Sequence, residues 1–328
     1  MVAELTAHHR YAADSLILIV QSVIAGQAVL EFKPSYRHAS VMAAYGGSLA
    51  GALFWGSFAD AVGRRSAFNF SLLICSVFAI IAGASPNWSV LNLFIAFTAF
   101  GGGGNLALDT TIFLEYLPGR YQWILTSMAL WWGVGQLFTG FFAWAFLPRF
   151  SCTDAATCTR SNNMGWRYVW FISGAFVLLM SILRVTVIRL QETPKYLVGE
   201  GKDQEVVDTL QTIAKKYNRP CSLTVDQLKA CGTTDVTRTH ASRRFLPREV
   251  WGHIRGLFET RRMALSTVLI WLSWTMIGLA YPLFNVFLPS YLQSRGAKFG
   301  QTSSDIQWRD YTIISLCGLL GPIPAGFM

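Results

Sequence analysis

The chain alternates between long stretches without charged side chains and short polar segments. The longest stretch, residues 66–108, contains 43 positions without Asp, Glu, Lys or Arg. As a single helix rising ~1.5 Å per residue it would be about 65 Å long, roughly twice the ~30 Å hydrocarbon thickness of a bilayer. The turn-forming tripeptide Ser85-Pro86-Asn87 interrupts it near the middle. The pattern therefore predicts two membrane-spanning helices joined by a tight turn.

The same pattern recurs along the chain and predicts about eight spans in total. Besides the pair around Pro86, the uncharged runs are residues 15–30, 38–59, 121–148, 168–183, 263–294 and 311–328. Only helices and closed barrels satisfy their backbone groups in lipid, and these continuous runs lack the alternation of barrel strands. We therefore expect an all-α, polytopic membrane helical bundle.

The spacing of the spans predicts three regions. Residues 1–190 would form a transmembrane bundle of six helices, residues 191–262 a cytosolic helical linker, and residues 263–328 the start of a C-terminal transmembrane bundle. The linker carries 13 basic and 9 acidic residues. Its segment DQEVVDTLQTIAKKY places Val206, Val207, Leu210 and Ile213 on one helical face. A connector is the favoured interpretation of this region, and a regulatory docking site is the alternative.

The distribution of charge predicts the orientation. With a cytosolic N-terminus, the inner loops hold Arg64, Arg65, Arg120 and the 13 basic residues of the linker, whereas the outer loops hold seven Lys and Arg. Cytosolic loops of membrane proteins carry such an excess of Lys and Arg. The net charge of +9 is thus attributed to topology rather than to nucleic-acid binding. The first apolar run is interpreted as an uncleaved span, with a cleaved signal peptide as the alternative.

Cysteine placement gives one candidate disulfide and no metal site. Cys152 and Cys158 fall in the predicted outer loop between the fifth and sixth spans, on the oxidising side of the membrane. They are candidates for a disulfide, and two free thiols are the alternative. The cysteines and the five histidines lack metal-ligand spacing. We expect neither a metal nor another cofactor.

A charged loop signature follows the second predicted span. The stretch GSFADAVGRR resembles the signature G-x-x-x-D-x-x-G-R-[KR] of the major facilitator superfamily, with matches at Gly56, Asp60, Gly63, Arg64 and Arg65. Two further stretches resemble its sugar-porter branch: EYLP, which contains Glu115 and is followed by Arg120, and ETPKYL, which begins at Glu192. The branch usually places its arginine four residues after that proline, and here it comes two after. In overall sequence the chain is similar to fungal transporters related to synaptic vesicle protein 2.

The resemblance implies that these loop residues form a gate. Charge pairs at the cytosolic interface hold helix bundles together, because partly desolvated ions are screened less than in bulk water. Asp60 is expected to accept hydrogen bonds from amides at a helix N-terminus. Arg64 is expected to bridge Glu115 and Glu192. The alternative is that Arg64 and Arg65 serve only as topology signals.

Polar residues within the spans are candidates for solute or proton binding, because ionisable groups in a membrane usually face a cavity. Asn105 and Asp109, four residues apart, share one helix face. The full set of candidates is Asp14, Gln21, Asn105, Asp109, Trp131, Trp132, Gln136 and Asn285. For Asp14 and Asp109 a hydrated position at the inner interface is the alternative. Arg184 is expected to extend to the inner surface.

Small residues within the spans predict close helix packing. Gly47 and Gly51 form a G-x-x-x-G pair, and residues 101–104 are four consecutive glycines. Such residues let helix backbones approach one another. The glycine run is also a candidate hinge.

These features favour a secondary active transporter that works by alternating access. We expect a small polar solute, sugar-like or an organic or inorganic anion, coupled to protons, carried by a monomer in the lipid bilayer. The sequence lacks the motifs of serine hydrolases, phosphate-binding loops and zinc proteases, so an enzyme is not expected. The alternatives are a non-transporting membrane sensor and an inactive, truncated transporter. Because the superfamily resemblance implies twelve spans, the chain is expected to be incomplete and inactive by itself.

Overall fold

The computed structural model is built from α-helices. It describes residues 2–117, 119–121, 123–188, 191–230, 255–295 and 303–325, and it describes side chains in these ranges except at 2–11, 14, 60, 61, 188, 281–294, 323 and 325. The long helices are α1 (Val2–Phe32), α2 (Ala39–Val62), α3 (Arg64–Gly83), α4 (Trp88–Tyr116), α6 (Ala129–Phe150), α7 (Gly165–Leu183) and α11 (Arg261–Ser294). The shorter helices are α5 (Ile124–Ser127), α8 (Pro194–Gly199), α9 (Asp203–Lys216), α10 (Val225–Ala230), α12 (Ser304–Gly318) and α13 (Pro322–Ala325). The α-helical class predicted from the uncharged runs is confirmed.

Among the described residues, six helical segments have the length and composition to cross a membrane, fewer than the eight predicted. They are Ser15–Phe32, Arg64–Gly83, Trp88–Tyr116, Gly119–Phe150, Gly165–Val187 and Arg261–Ala280. The 24-residue helix α2 is long enough to cross a membrane but is not among these six segments. The last predicted run, residues 311–328, does not form one long helix. Helix α12 has only 15 residues and ends at Gly318, and the short helix α13 follows it.

The turn predicted at Pro86 lies between α3 and α4. Helix α3 ends at Gly83, and α4 begins at Trp88. The Asn87 side chain caps α4 by accepting a hydrogen bond of 2.9 Å from the Val90 amide. The sequence therefore located this turn correctly.

Glycines bring α4 against two neighbouring helices. A Cβ at Gly47 or Gly51 of α2 would collide with the backbone of Ala96 or Phe100, and a Cβ at Gly103 would collide with Ser48. On another side of α4, a Cβ at Gly101 would lie 2.6 Å from the Ser71 carbonyl oxygen in α3. The glycine run thus packs α4 against both α2 and α3.

A buried ion pair joins the C-terminal end of α1 to the N-terminal end of α7. Arg167, 1% exposed, donates to both oxygens of Glu31 at 2.7 and 2.8 Å. Glu31 also accepts from the Trp166 indole at 2.9 Å and from the Asn163 amide at 3.2 Å. These four hydrogen bonds satisfy both carboxylate oxygens, as a charge inside a protein requires.

The loop between α6 and α7 lies beside this ion pair. Cys152 and Cys158 form a disulfide in the structure, with Cα atoms 5.5 Å apart. The Cys152 amide donates to the Asn163 side chain at 3.4 Å, and Asn163 donates to the Gln27 carbonyl of α1 at 2.9 Å. Asn163 therefore links the disulfide loop to α1.

The chain forms two compact units, which are residues 1–238 with 303–328, and residues 239–302. In the first unit, α12 packs on α6, where the Trp144 indole donates to Asp305 at 3.0 Å. Helix α9 of the same unit buries Val206 and Val207. In the second unit, the apolar side chains of α11 from 265 to 279 are exposed. The three regions inferred from the sequence stay a prediction.

Candidate gating site at the turn between α2 and α3

The site begins at Gly63, the single residue between α2 and α3. Its φ of 109° lies in a region that side chains rarely adopt, and its amide donates to the Ala59 carbonyl at 3.2 Å. A Cβ at this position would lie 2.7 Å from Glu192 Oε1. Glycine thus allows both the reversal of the chain and the approach of the Glu192 carboxylate.

Glu192 lies at the N-terminus of α3. Its oxygens accept from the Arg65 amide at 3.1 and 3.3 Å. An anion is favourable here, because the first amides of a helix point outward and carry partial positive charge. Burial nevertheless raises the pKa of Glu192, since it outweighs the opposite effects of the Arg65 and Arg64 amides and of their side-chain charges.

Arg64 connects α3 to the end of α4. Its guanidinium lies 3.3 Å from Glu115 Oε1, and the Arg64 and Glu115 side chains are 16% and 15% exposed. Glu115 Oε2 accepts from the Thr193 hydroxyl at 2.6 Å. Thr193 also accepts from the Tyr196 amide at 3.3 Å and caps α8. One carboxylate therefore binds both α3 and the segment that enters the linker region.

Tyr116 provides a second tie to this segment. Its hydroxyl donates to the Gln191 carbonyl at 2.8 Å and to the Glu192 carbonyl at 3.1 Å. The N-terminal end of α3, the C-terminal end of α4 and residues 191–193 thus form one hydrogen-bonded cluster. We call it the inner clasp, after the cytosolic side on which the sequence predicts it. It consists of Gly63, Arg64, Arg65, Glu115, Tyr116, Glu192 and Thr193.

The structure shows one half of the predicted Arg64 bridge. The Arg64 guanidinium lies 3.3 Å from Glu115 Oε1. Glu192 lies in front of the N-terminus of α3, where it accepts from the outward-pointing Arg65 amide. The bridge from the Arg64 side chain to Glu192 stays a prediction. The sequence analysis missed the contributions of Tyr116 and Thr193. Both residues are part of the motifs, since Tyr116 is the second residue of EYLP and Thr193 the second residue of ETPKYL.

The side chains of the other motif residues lie outside these contacts. Arg65 and Arg120 have exposed side chains, and among the described residues Arg120 makes no ion pair. A Cβ at Gly56 would meet open space. The side chain of Asp60 lies outside the described residues, so its predicted contact with helix amides stays a prediction.

A second polar cluster lies inside the bundle. Asn105 and Asp109 are 0% and 1% exposed on α4. Arg184, 3% exposed at the end of α7, donates to the Asn105 side chain at 3.4 Å and to the Phe68 carbonyl at 3.2 Å. Its guanidinium lies 3.7 Å from the centroid of the Phe68 ring.

The predicted extension of Arg184 to the inner surface is therefore wrong. The cation–π contact and the two hydrogen bonds compensate for the loss of water around the guanidinium. A signal was present in the sequence, because an arginine at the end of an apolar run is a candidate for pairing inside the bundle.

The remaining candidates lie on several helices. Gln21 of α1 is 9% exposed, and Trp131, Trp132 and Gln136 of α6 are half-buried. The Trp132 carbonyl accepts from the Ser15 hydroxyl at 2.7 Å where α1 crosses α6. The side chains of Asp14 and Asn285 lie outside the described residues.

The fold defines a multi-pass α-helical membrane protein, and comparison with known proteins gives its family. The sequence pattern of the Major Facilitator Superfamily matches residues 13–328. The chain therefore belongs to the Major Facilitator Superfamily, as the loop signature predicted. This family consists of transporters.

Two relatives and one solved structure illustrate this membership. The chain is 39% identical over 322 residues to MFS siderochrome iron transporter 1 of Ceriporiopsis subvermispora (strain B), covering 96% of this chain and 62% of that protein. It is 24% identical over 275 residues to the synaptic vesicle 2-related protein of Bos taurus, covering 83% of this chain and 43% of that protein. The chain thus spans less than two thirds of each relative.

The fold is similar to that of the proton:xylose symporter XylE of E. coli bound to 6-bromo-6-deoxy-D-glucose. The TM-score is 0.63 at 18% identity, and the match covers 100% of this chain and 68% of that structure. The similarity concerns the fold, which is the major facilitator fold.

Proposed function

We propose that the protein carries a small polar solute across a membrane and that the inner clasp closes its cytosolic side. The observation that carries the proposal is the Glu115 carboxylate, which binds Arg64 of α3 and Thr193 of the following segment at once. Separating these ends requires several partly buried polar contacts to break together. Such a cluster favours two discrete arrangements, closed and open, as alternating access requires.

The solute class is proposed from the relatives. One relative is named for the transport of siderochrome iron, and the similar structure is that of a xylose symporter. Both names indicate polar organic solutes rich in hydrogen-bonding groups. We propose a sugar-like molecule or an organic or inorganic anion.

Proton coupling is proposed through Asp109. This carboxyl group is 1% exposed on α4, one helical turn from Asn105, within the membrane-spanning segment Trp88–Tyr116. Ionisable residues inside membrane bundles often serve as proton relays. Such a group is suited to link protonation to movement of α4.

We also propose that the N-terminus is cytosolic and that the protein works as a monomer. The basic inner loops support the orientation, since they contain Arg64, Arg65 and Arg120 together with the basic residues between 191 and 262. With this orientation the disulfide loop at Cys152 and Cys158 faces the oxidising side of the membrane.

Uptake in reconstituted vesicles tests the proposal. The full gene product is placed in proteoliposomes, and accumulation of radiolabelled sugars, carboxylates, phosphate and iron–siderophore complexes is measured with and without an inward proton gradient. We expect saturable accumulation of one class, with a lower rate for Arg64→Ala. Saturable binding without accumulation of any class would instead identify a membrane sensor.

A further inference from the structure

Three buried polar side chains meet inside the bundle of the first unit at a small void. Gln21 of α1, Thr98 of α4 and Trp170 of α7 line this void together with apolar residues that include Ile17, Ala44 and Ile95. The three polar residues are 9%, 2% and 1% exposed. The void measures about 10 Å³.

Each of the three side chains has a buried polar atom without a protein partner. Among the described residues, Gln21 Oε1, Thr98 Oγ1 and Trp170 Nε1 make no hydrogen bond. An unpaired polar atom in a protein interior is costly, and a native interior rarely contains three around one void. Their common location indicates a shared partner rather than three separate defects.

The volume and the chemistry both select the same ligand. A void of roughly 10–15 Å³ holds one water molecule, provided that two to four polar groups surround it. Water donates two hydrogen bonds and accepts two, so that it serves the Gln21 and Thr98 oxygens as a donor and the Trp170 N–H as an acceptor. A cation does not fit, because the indole N–H would point its own positive end at the ion.

We propose that Gln21, Thr98 and Trp170 bind one structural water molecule that links α1, α4 and α7. The water connects three helices, and on α7 its partner Trp170 lies one turn after Arg167. It gives the Gln21 amide a role inside the bundle, whereas the sequence had placed Gln21 among the candidates that face the solute. This inference does not depend on the proposed transport activity.

Isosteric removal of one hydroxyl gives opposite results with and without the water. The purified full gene product is compared with Thr98→Val by thermal unfolding in detergent. If water binds, the valine leaves it short of one hydrogen bond, and we expect a Tm lower by about 2–4 °C. If the void is dry, the valine removes an unsatisfied polar atom, so an unchanged or raised Tm overturns the proposal.

Two controls separate this effect from general sensitivity of α4. Thr111→Val makes the same change on the same helix, but the Thr111 hydroxyl bonds the carbonyl of Ala107 in its own helix at 3.1 Å, so a smaller shift is expected. Combined with Gln21→Leu, Thr98→Val should cost less than the sum of the two single shifts, because both residues bind the same water. Strictly additive Tm shifts would contradict a shared water molecule. In a map at about 2 Å resolution, density for one water between the three side chains would show the water directly.

Discussion

Gly63 shows how much one residue decides at the inner clasp. Alanine at this position would have to adopt φ near 109° and would approach the Glu192 carboxylate. We expect Gly63→Ala to destabilise the protein by about 1–3 kcal/mol. The matched control is Gly46→Ala on α2, where a Cβ meets open space and the helical backbone gains about 0.5–1 kcal/mol. Thermal unfolding in detergent measures both variants, and equal effects would contradict the role of Gly63.

A second prediction at this scale concerns the pKa of Glu192, which burial raises above the ordinary 4.5. Because the folded protein binds this proton more tightly than the unfolded chain, the contribution of Glu192 to stability is fully present below pH 4.5. That contribution is lost as the pH rises through the higher pKa of the folded state. Comparing Tm from pH 4 to 7, we expect a falling component in the wild type that Glu192→Gln removes. Parallel curves for the two proteins would count against the raised pKa.

At the scale of elements, the clasp separates the roles of two neighbouring arginines. Arg64 acts through its guanidinium on Glu115, whereas Arg65 contributes its backbone amide and keeps its side chain exposed. Arg64→Ala leaves a partly buried carboxylate with one partner fewer and should destabilise the closed arrangement by about 1–3 kcal/mol. Arg65→Ala retains the amide and should have a smaller effect. Solute uptake by vesicles distinguishes the two variants. Similar losses of uptake would indicate that both arginines serve only as topology signals.

The contact between α2 and α4 gives another comparison. A Cβ at Gly103 would collide with the backbone of Ser48, whereas a Cβ at Gly102 would only touch Cys75 Sγ at 3.8 Å. Overpacking a well-packed contact costs about 1–3 kcal/mol. We therefore expect Gly103→Ala to lower the Tm and the yield of folded protein, and Gly102→Ala to leave both nearly unchanged. A loss at Gly102 equal to that at Gly103 would favour the hinge interpretation of the run.

At the scale of the whole molecule, Asp109 is the proposed link between protons and movement. In Asp109→Asn the side chain keeps its shape but no longer titrates. The variant of the full gene product should exchange solute across the vesicle membrane but should not accumulate it in response to a pH gradient. Asp154→Asn, in the exposed outer loop, serves as the control and should accumulate solute normally. Gradient-driven accumulation by Asp109→Asn would exclude the coupling role.

The sequence by itself determined the helical class, the turn at Pro86 and the family. Hydropathy and turn chemistry are properties of consecutive residues, so that the uncharged runs around Ser85-Pro86-Asn87 need no knowledge of the neighbouring helices. The loop signature from Gly56 to Arg65 is equally local. It identified the superfamily, and together with the EYLP and ETPKYL motifs it predicted that Arg64, Glu115 and Glu192 belong to one region.

Only the tertiary structure decided which groups contact one another there. Arg64 pairs with Glu115, the amides of α3 hold Glu192, and Arg184 turns inward to Phe68 and Asn105. The void beside Gln21, Thr98 and Trp170 likewise exists only because α1, α4 and α7 cross at that point. The physical reason is that the free energy of a polar group in a bundle depends on the donors, acceptors and rings that neighbouring helices bring to it. No local pattern of the chain specifies those neighbours.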